Sequence, residues 1–86
     1  MKIFKYILKI ESTQEIYLPK EIKFLSVQMQ YDILCVWARV DENSENVPYI
    51  FHIYGTGQDC CNSLKYFYLG TIQQSSFVWH IFVEFL

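Results

Sequence analysis

Four residues carry the side chains from which a metal or nucleophilic site is usually built: His52, Cys60, Cys61 and His80. Thiolate and imidazole both suit zinc. The spacing argues against a metal centre, because adjacent cysteines cannot easily ligate one ion together and no Cys-x₂-Cys pair exists. A vicinal disulfide or plain loop thiols is the better reading of Cys60-Cys61. Nucleophilic catalysis by a cysteine needs a base beside the thiol and a third group to orient that base. Cys60 or Cys61 with His80 is the candidate pairing, and nothing in the spacing brings them together. Cys35 lies in an apolar run and reads as a small core residue. The acids fall mostly in turns, so no acid–base carboxylate pair stands out. The expectation is a protein that is not an enzyme and holds no cofactor or metal.

A ligand site is best sought around Gly55-Thr56-Gly57. These residues stop a strand, since glycine adopts positive φ without a Cβ clash. They lack the following helix and lysine of a P-loop. They can still offer N–H groups and one hydroxyl to a small nucleotide-type ligand, while Tyr54 and Trp79 stack on a base. The expected ligand-binding set is therefore Tyr54, Gly55, Thr56, Gly57, Trp79 and His80. Against it stands the simpler reading that these rings fill a core and cover turns.

The elements that must position this loop are strands. Tyr49 to Tyr54 is aromatic and β-branched, which fits a half-buried pleated surface. After the glycines and a polar loop, Leu64 to Gln73 resumes the extended pattern, with Leu64, Tyr66 and Tyr68 facing together. The two segments read as a central hairpin. Gly70 inside the second one points to a bulge or a close backbone approach. Upstream, Lys2 to Ile10 alternates, with Phe4, Tyr6, Leu8 and Ile10 on the apolar face and Ile3, Lys5, Ile7 and Lys9 on the mixed one. The lysines read as a solvated strand face that discourages edge pairing. Glu11 to Gln14 reads as a turn, and Glu15 to Leu18 as a short strand closed by Pro19. Ile22 to Tyr31 changes phase near Leu25, which implies a bulge. Ile33 to Val40 is apolar on both faces until Arg39 and reads as an interior strand. An acidic connector, Asp41 to Asn46, leads to Pro48, which opens the hairpin.

Phe77 to Leu86 is the most apolar segment, with eight apolar residues. Phe77, Trp79, Ile81, Val83 and Phe85 face one way and can fill the core. Val78, Phe82 and Leu86 lie on the reverse face with His80 and Glu84. A terminal strand of this kind invites edge pairing or stacking. The expectation is a two-fold homodimer with Val78, Phe82 and Leu86 at its interface.

At 86 residues the chain is one domain, residues 1–86. Hydrophobic residues make up 52% and aromatics 19%, more apolar surface than so small a domain easily hides, so a sticky partner surface is expected. The net charge is −2, with only seven basic residues, so a general nucleic-acid footprint is absent. No apolar run reaches the roughly 18 residues of a membrane helix, and no secretory signal is legible. Three cysteines, an odd number, make no disulfide framework, which favours a reducing cytoplasm. The fold class is all-β: a small antiparallel sandwich or partly open barrel of six to seven strands.

The chain also resembles a family of short, uncharacterised proteins common in bacteriophages and prophages. The resemblance rests on Lys5-Tyr6, Leu18-Pro19-Lys20, Leu25-Ser26-Val27-Gln28, Leu34-Cys35-Val36-Trp37-Ala38, Ile53-Tyr54-Gly55-Thr56-Gly57, Gly70-Thr71 and Val78-Trp79-His80. The chain departs from that pattern at Cys60-Cys61 and in the longer apolar tail after His80. The resemblance implies a virus-encoded accessory protein in the bacterial cytoplasm, and it supplies no known activity or functional residue. The combined expectation is a binding protein that occupies a host protein, in the manner of counter-defence. The alternative is a sponge for a small nucleotide-type signal at the Gly55-Thr56-Gly57 loop.

Overall fold

The structure is a computed structural model that describes residues 1–60 and 65–85. Period-2 alternation runs through almost every segment, and the described residues answer it with seven strands. They are β1 (Lys2–Leu8), β2 (Thr13–Pro19), β3 (Ile22–Gln30), β4 (Ile33–Val40), β5 (Asn46–Gly55), β6 (Tyr66–Gln74) and β7 (Phe77–Phe85). All pairings are antiparallel, in a three-stranded sheet ordered β1-β4-β3 and a four-stranded sheet ordered β2-β5-β7-β6. The sheets are not closed into a barrel, so the sandwich alternative of the sequence reading holds. The molecule is only 16 Å across its thinnest axis, as two stacked sheets about 10 Å apart require. No helix among the described residues is long and apolar enough to cross a membrane.

The core lies between the sheets. Leu34, Val36, Ala38 and Val40 of β4 point into it from one side, and Tyr49, Phe51 and Ile53 of β5 with Ile81 and Val83 of β7 from the other. Phe24 meets Tyr49, Phe51 and Phe85 with ring centroids 5.9–6.1 Å apart, joining β3 to the opposite sheet. The bulge expected near Leu25 is present, because the β3–β4 register shifts between Phe24 and Ser26. A second shift falls between Tyr68 and Gly70. Gly70 is also a point of close approach: a Cβ there would sit 2.5 Å from Val27 Cγ2. Only glycine lets β6 lie this near β3.

Several boundaries move. β1 ends at Leu8, and β2 begins at Thr13 and includes Pro19, so the four-residue turn expected at Glu11 to Gln14 falls two residues earlier, at residues 9–12. Pro48 lies within β5, where it pairs with Tyr17 of edge strand β2 while pairing to β7 starts only at Tyr49. A proline is tolerated where one side of the strand needs no donor. The larger correction concerns the central hairpin. β5 and β6 do not pair with each other, because β7 inserts between them. The last strand is therefore interior to its sheet, and edge pairing through it is excluded. The apolar character on both its faces reflects that interior place. Leu64 falls outside the described residues.

Tight turns use unexpected residues. Tyr31 and Asp32, joining β3 to β4, have φ of 51° and 64°, the double positive φ of a type I′ turn without its usual asparagine or glycine.

Candidate functional site

Side chains alternate between the faces of a strand, so the outer surface of the four-stranded sheet collects Thr13, His52, Tyr54, Tyr66, Tyr68, Thr71, His80, Phe82 and Glu84. The β5 turn closes over one end of this surface. Gln58 N–H donates to Gly55 O at 3.1 Å, and Gly57 has φ +92°, the positive φ that a type II turn needs at its third position. Tyr54, Gly55, Thr56, Gly57, Gln58, Cys60, His80 and Phe82 line a single cleft of about 260 Å³. Five of the six residues expected to bind a ligand meet here. Trp79 does not: it faces the opposite side of β7, packs on the core and donates its indole N–H to Gln74 Oε1 at 3.3 Å. Adjacent strand residues cannot share a face, so Trp79 and His80 could never serve one site together.

His80 is held at both ring nitrogens. Nε2 lies 2.8 Å from Thr56 Oγ1 and Nδ1 lies 2.9 Å from Thr71 Oγ1, which in turn contacts the Tyr68 hydroxyl. This chain of phenol, hydroxyl, imidazole and hydroxyl can run in either sense. When Tyr68 donates to Thr71, Thr71 donates to Nδ1 and Nε2–H donates to Thr56. The Thr56 proton is then left to offer to the cleft. With both nitrogens engaged, His80 is poorly placed to take a thiol proton from Cys60, which lines the same cleft.

The turn's backbone offers less to an anion than its glycines suggest. Gly55 N–H donates to Gln58 Oε1 at 2.6 Å, Thr56 N–H to Val78 O at 3.3 Å, and Gln58 N–H to Gly55 O. Among the described residues, no lysine or arginine lines the cleft. A phosphate would meet neither a ready cradle of N–H groups nor a cation there.

His52 is a structural link rather than a ligand. It is only 7% exposed on the outer face, stacked against Tyr66 with centroids 4.1 Å apart. Glu84 Oε1 accepts from its Nε2–H at 3.1 Å, which leaves Nδ1 to accept from the Thr13 hydroxyl at 3.4 Å. Among the described residues, no group of three or more His, Cys, Asp or Glu side chains converges on an ion position. Cys61 lies outside the described residues, as does Leu86 of the expected dimer interface. Val78 and Phe82 are half-buried, Phe82 beneath the rings of Tyr54 and Tyr68 at 5.9 and 5.5 Å.

The opposite outer face, on the three-stranded sheet, was not singled out by the sequence. Its rungs read Ile3–Arg39–Lys23, Lys5–Trp37–Ser26 and Ile7–Cys35–Gln28 across β1, β4 and β3. Ile3 is 64% and Ile7 60% exposed. Lys5 Nζ donates to Gln30 Oε1 at 2.7 Å, so its side chain must cross β4 to reach β3. Cys35, on the outward-facing rung between Trp37 and Ile33, is only 2% exposed, and its thiol donates to Ile33 O at 3.6 Å. The alternation of Ile3, Lys5 and Ile7 was the available signal for this face.

This arrangement defines a small two-sheet antiparallel β-protein with a modest cleft on the outer face of one sheet and exposed aliphatic side chains on the outer face of the other. The chain belongs to the family described as Domain of unknown function (DUF7352), whose model matches residues 1–85. No curated protein and no solved structure matches it.

Proposed function

We propose that this protein is a non-enzymatic accessory binding protein that acts by occupying the surface of a partner protein. The observation that carries the reading is the uncovered face of the β1-β4-β3 sheet, where Ile3, Ile7 and the bulge residue Leu25 are 48–64% exposed around Trp37. Exposed aliphatic side chains interleaved with cations around a tryptophan suit a protein interface, where Trp and Arg are enriched among the residues that carry the binding energy. The phage-type origin implied by the resemblance, a bacterial cytoplasmic setting and a counter-defence role all fit such a mode of action. A two-fold dimer would use the other outer face, by stacking through Val78 and Phe82.

The test is capture from bacterial lysate with matched surface variants. Wild type and Phe82→Glu should retain the same partner, and Ile7→Glu should lose it. Retention by Ile7→Glu would refute the assignment of the face. The second reading, a small-ligand sponge, is favoured by the cleft at Tyr54–Gln58 and His80. Its volume of about 260 Å³ falls just below the usual 300–1,000 Å³ of ligand sites, and its lining suits a flat ring better than a phosphate. Thermal-shift screening against nucleosides and nucleotides separates the two readings, because a ligand that binds only the native state raises the melting temperature.

A further inference from the structure

We propose that the partner segment seated on the β1-β4-β3 face is acidic as well as apolar, an extended or helical protein segment rich in Asp and Glu. This rests on the reading of that face as the docking surface and adds the chemistry of what docks. The face carries Lys5, Lys23 and Arg39, and no Asp or Glu occupies its three rungs. The whole chain has a net charge of −2, so with these three cations set apart the remainder carries −5. Three of the seven cations thus gather on the one sheet surface that leaves aliphatic side chains uncovered, while Lys2, Lys9, Lys20 and Lys65 lie off its rungs and the nearest acids, Glu21 and Asp41, stand just beyond the Lys23–Arg39 end. Lys23 and Arg39 share a rung, and Lys5 stands beside Trp37 on the next.

Charge complementarity selects the occupant. A second copy of this chain laid face to face would oppose cation to cation. A basic or neutral partner would leave three ammonium or guanidinium groups without counter-charge at the rim. An acidic segment meets them, and like-charge rejection of other partners supplies specificity. The exposed Ile3 and Ile7 favour protein over nucleic acid. They give a phosphate backbone nothing, and one half-buried tryptophan is a poor stacking platform for successive bases.

The test is photocrosslinking in bacterial lysate from a photoreactive residue at Ile7, with the joined segment sequenced by mass spectrometry. The expected result is a segment rich in Asp and Glu. Its yield should fall at least about tenfold in the Lys23→Glu, Arg39→Glu variant and in high salt, which screens exposed charges. Both positions are exposed, so the variant's melting temperature should stay within a few degrees of wild type, and this separates lost binding from lost folding. A neutral or basic segment, or a yield indifferent to charge reversal, overturns this inference and leaves the face as a docking surface. A nuclease-sensitive crosslink overturns it in favour of nucleic acid. Capture through other positions with none at Ile7 sinks the docking face and this inference together.

Discussion

Replacing Gly70 with alanine probes the contact that sets the spacing between the two sheets. The new methyl would lie 2.5 Å from Val27 Cγ2, and ordinary carbon contacts begin near 3.4 Å, so β6 and β3 must part by roughly an ångström. Val27 is only 7% exposed and β-branched, so it cannot swing aside freely. Overpacking of this kind costs about 1–3 kcal/mol. In a domain of this size, each kcal/mol lowers the melting temperature by about 4–8 °C, so Gly70→Ala should melt roughly 5–20 °C below wild type. Val27→Ala alone removes two methyl-sized groups, worth about 1.6 kcal/mol in transfer and somewhat more with the cavity. In the double variant the alanine methyl at residue 70 occupies the space that Val27 vacates. The double should therefore be less destabilised than the two singles combined, by about 1 kcal/mol or more. Urea titration of all four proteins reads this coupling. A neutral Gly70→Ala with additive effects would refute the close approach and the sheet spacing built on it.

Other outcomes follow from the same geometry. Phe51 is fully buried, and truncation to alanine costs about 3–5 kcal/mol. An 86-residue domain has about 4–13 kcal/mol in total, so Phe51→Ala should lose roughly a quarter of its stability or more and melt at least about 12 °C below wild type by near-ultraviolet circular dichroism. The Tyr49 phenol, in contact with the carbonyls of Pro19 and Lys20 at 3.2 Å, has its pKa raised above the ordinary 10.0, first by burial and then by Glu21. Stability from this phenol is fully present below pH 10 and is lost as pH rises through the higher folded value. The melting temperature should therefore fall above pH 10, and less steeply in Tyr49→Phe; equal slopes would contradict this. The Cys35 thiol, only 2% exposed, should resist alkylation in the native protein and react on unfolding, as peptide mapping can record. Sedimentation at micromolar concentration tests the stacked dimer: wild type should be dimeric and Phe82→Glu monomeric, and a monomeric wild type ends that proposal.

Much of the architecture was legible because alternation with period 2 reports facing directly. Phe4, Tyr6 and Leu8, and Leu34, Val36, Ala38 and Val40, announced their buried faces, and the phase change at Leu25 announced its bulge. Strand order was not legible. Nothing local distinguishes β6 paired to β5 from β6 paired to β7, since both neighbours offer similar aromatic and β-branched edges, and the short Ser75-Ser76 turn decides it. The candidate site was legible in part. Gly55-Thr56-Gly57 and His80 converge as expected because the turn after β5 folds back over β7. What the glycines could not reveal is that the Gly55 and Thr56 N–H groups are taken by Gln58 and Val78. The basic and apolar face around Trp37 escaped notice because its cations come from three strands, far apart in sequence and adjacent only through register.

The central claim is that the β1-β4-β3 face docks a partner protein. Methyl-resolved NMR of isoleucine-labelled protein, titrated with the partner captured from bacterial lysate, tests it most directly. Ile3 and Ile7 lie on that face, and Ile50 lies on the outer face of the other sheet. The account predicts that the Ile3 and Ile7 methyl signals shift or broaden while Ile50 stays in place. Movement of Ile50 with Ile3 and Ile7 undisturbed would contradict it.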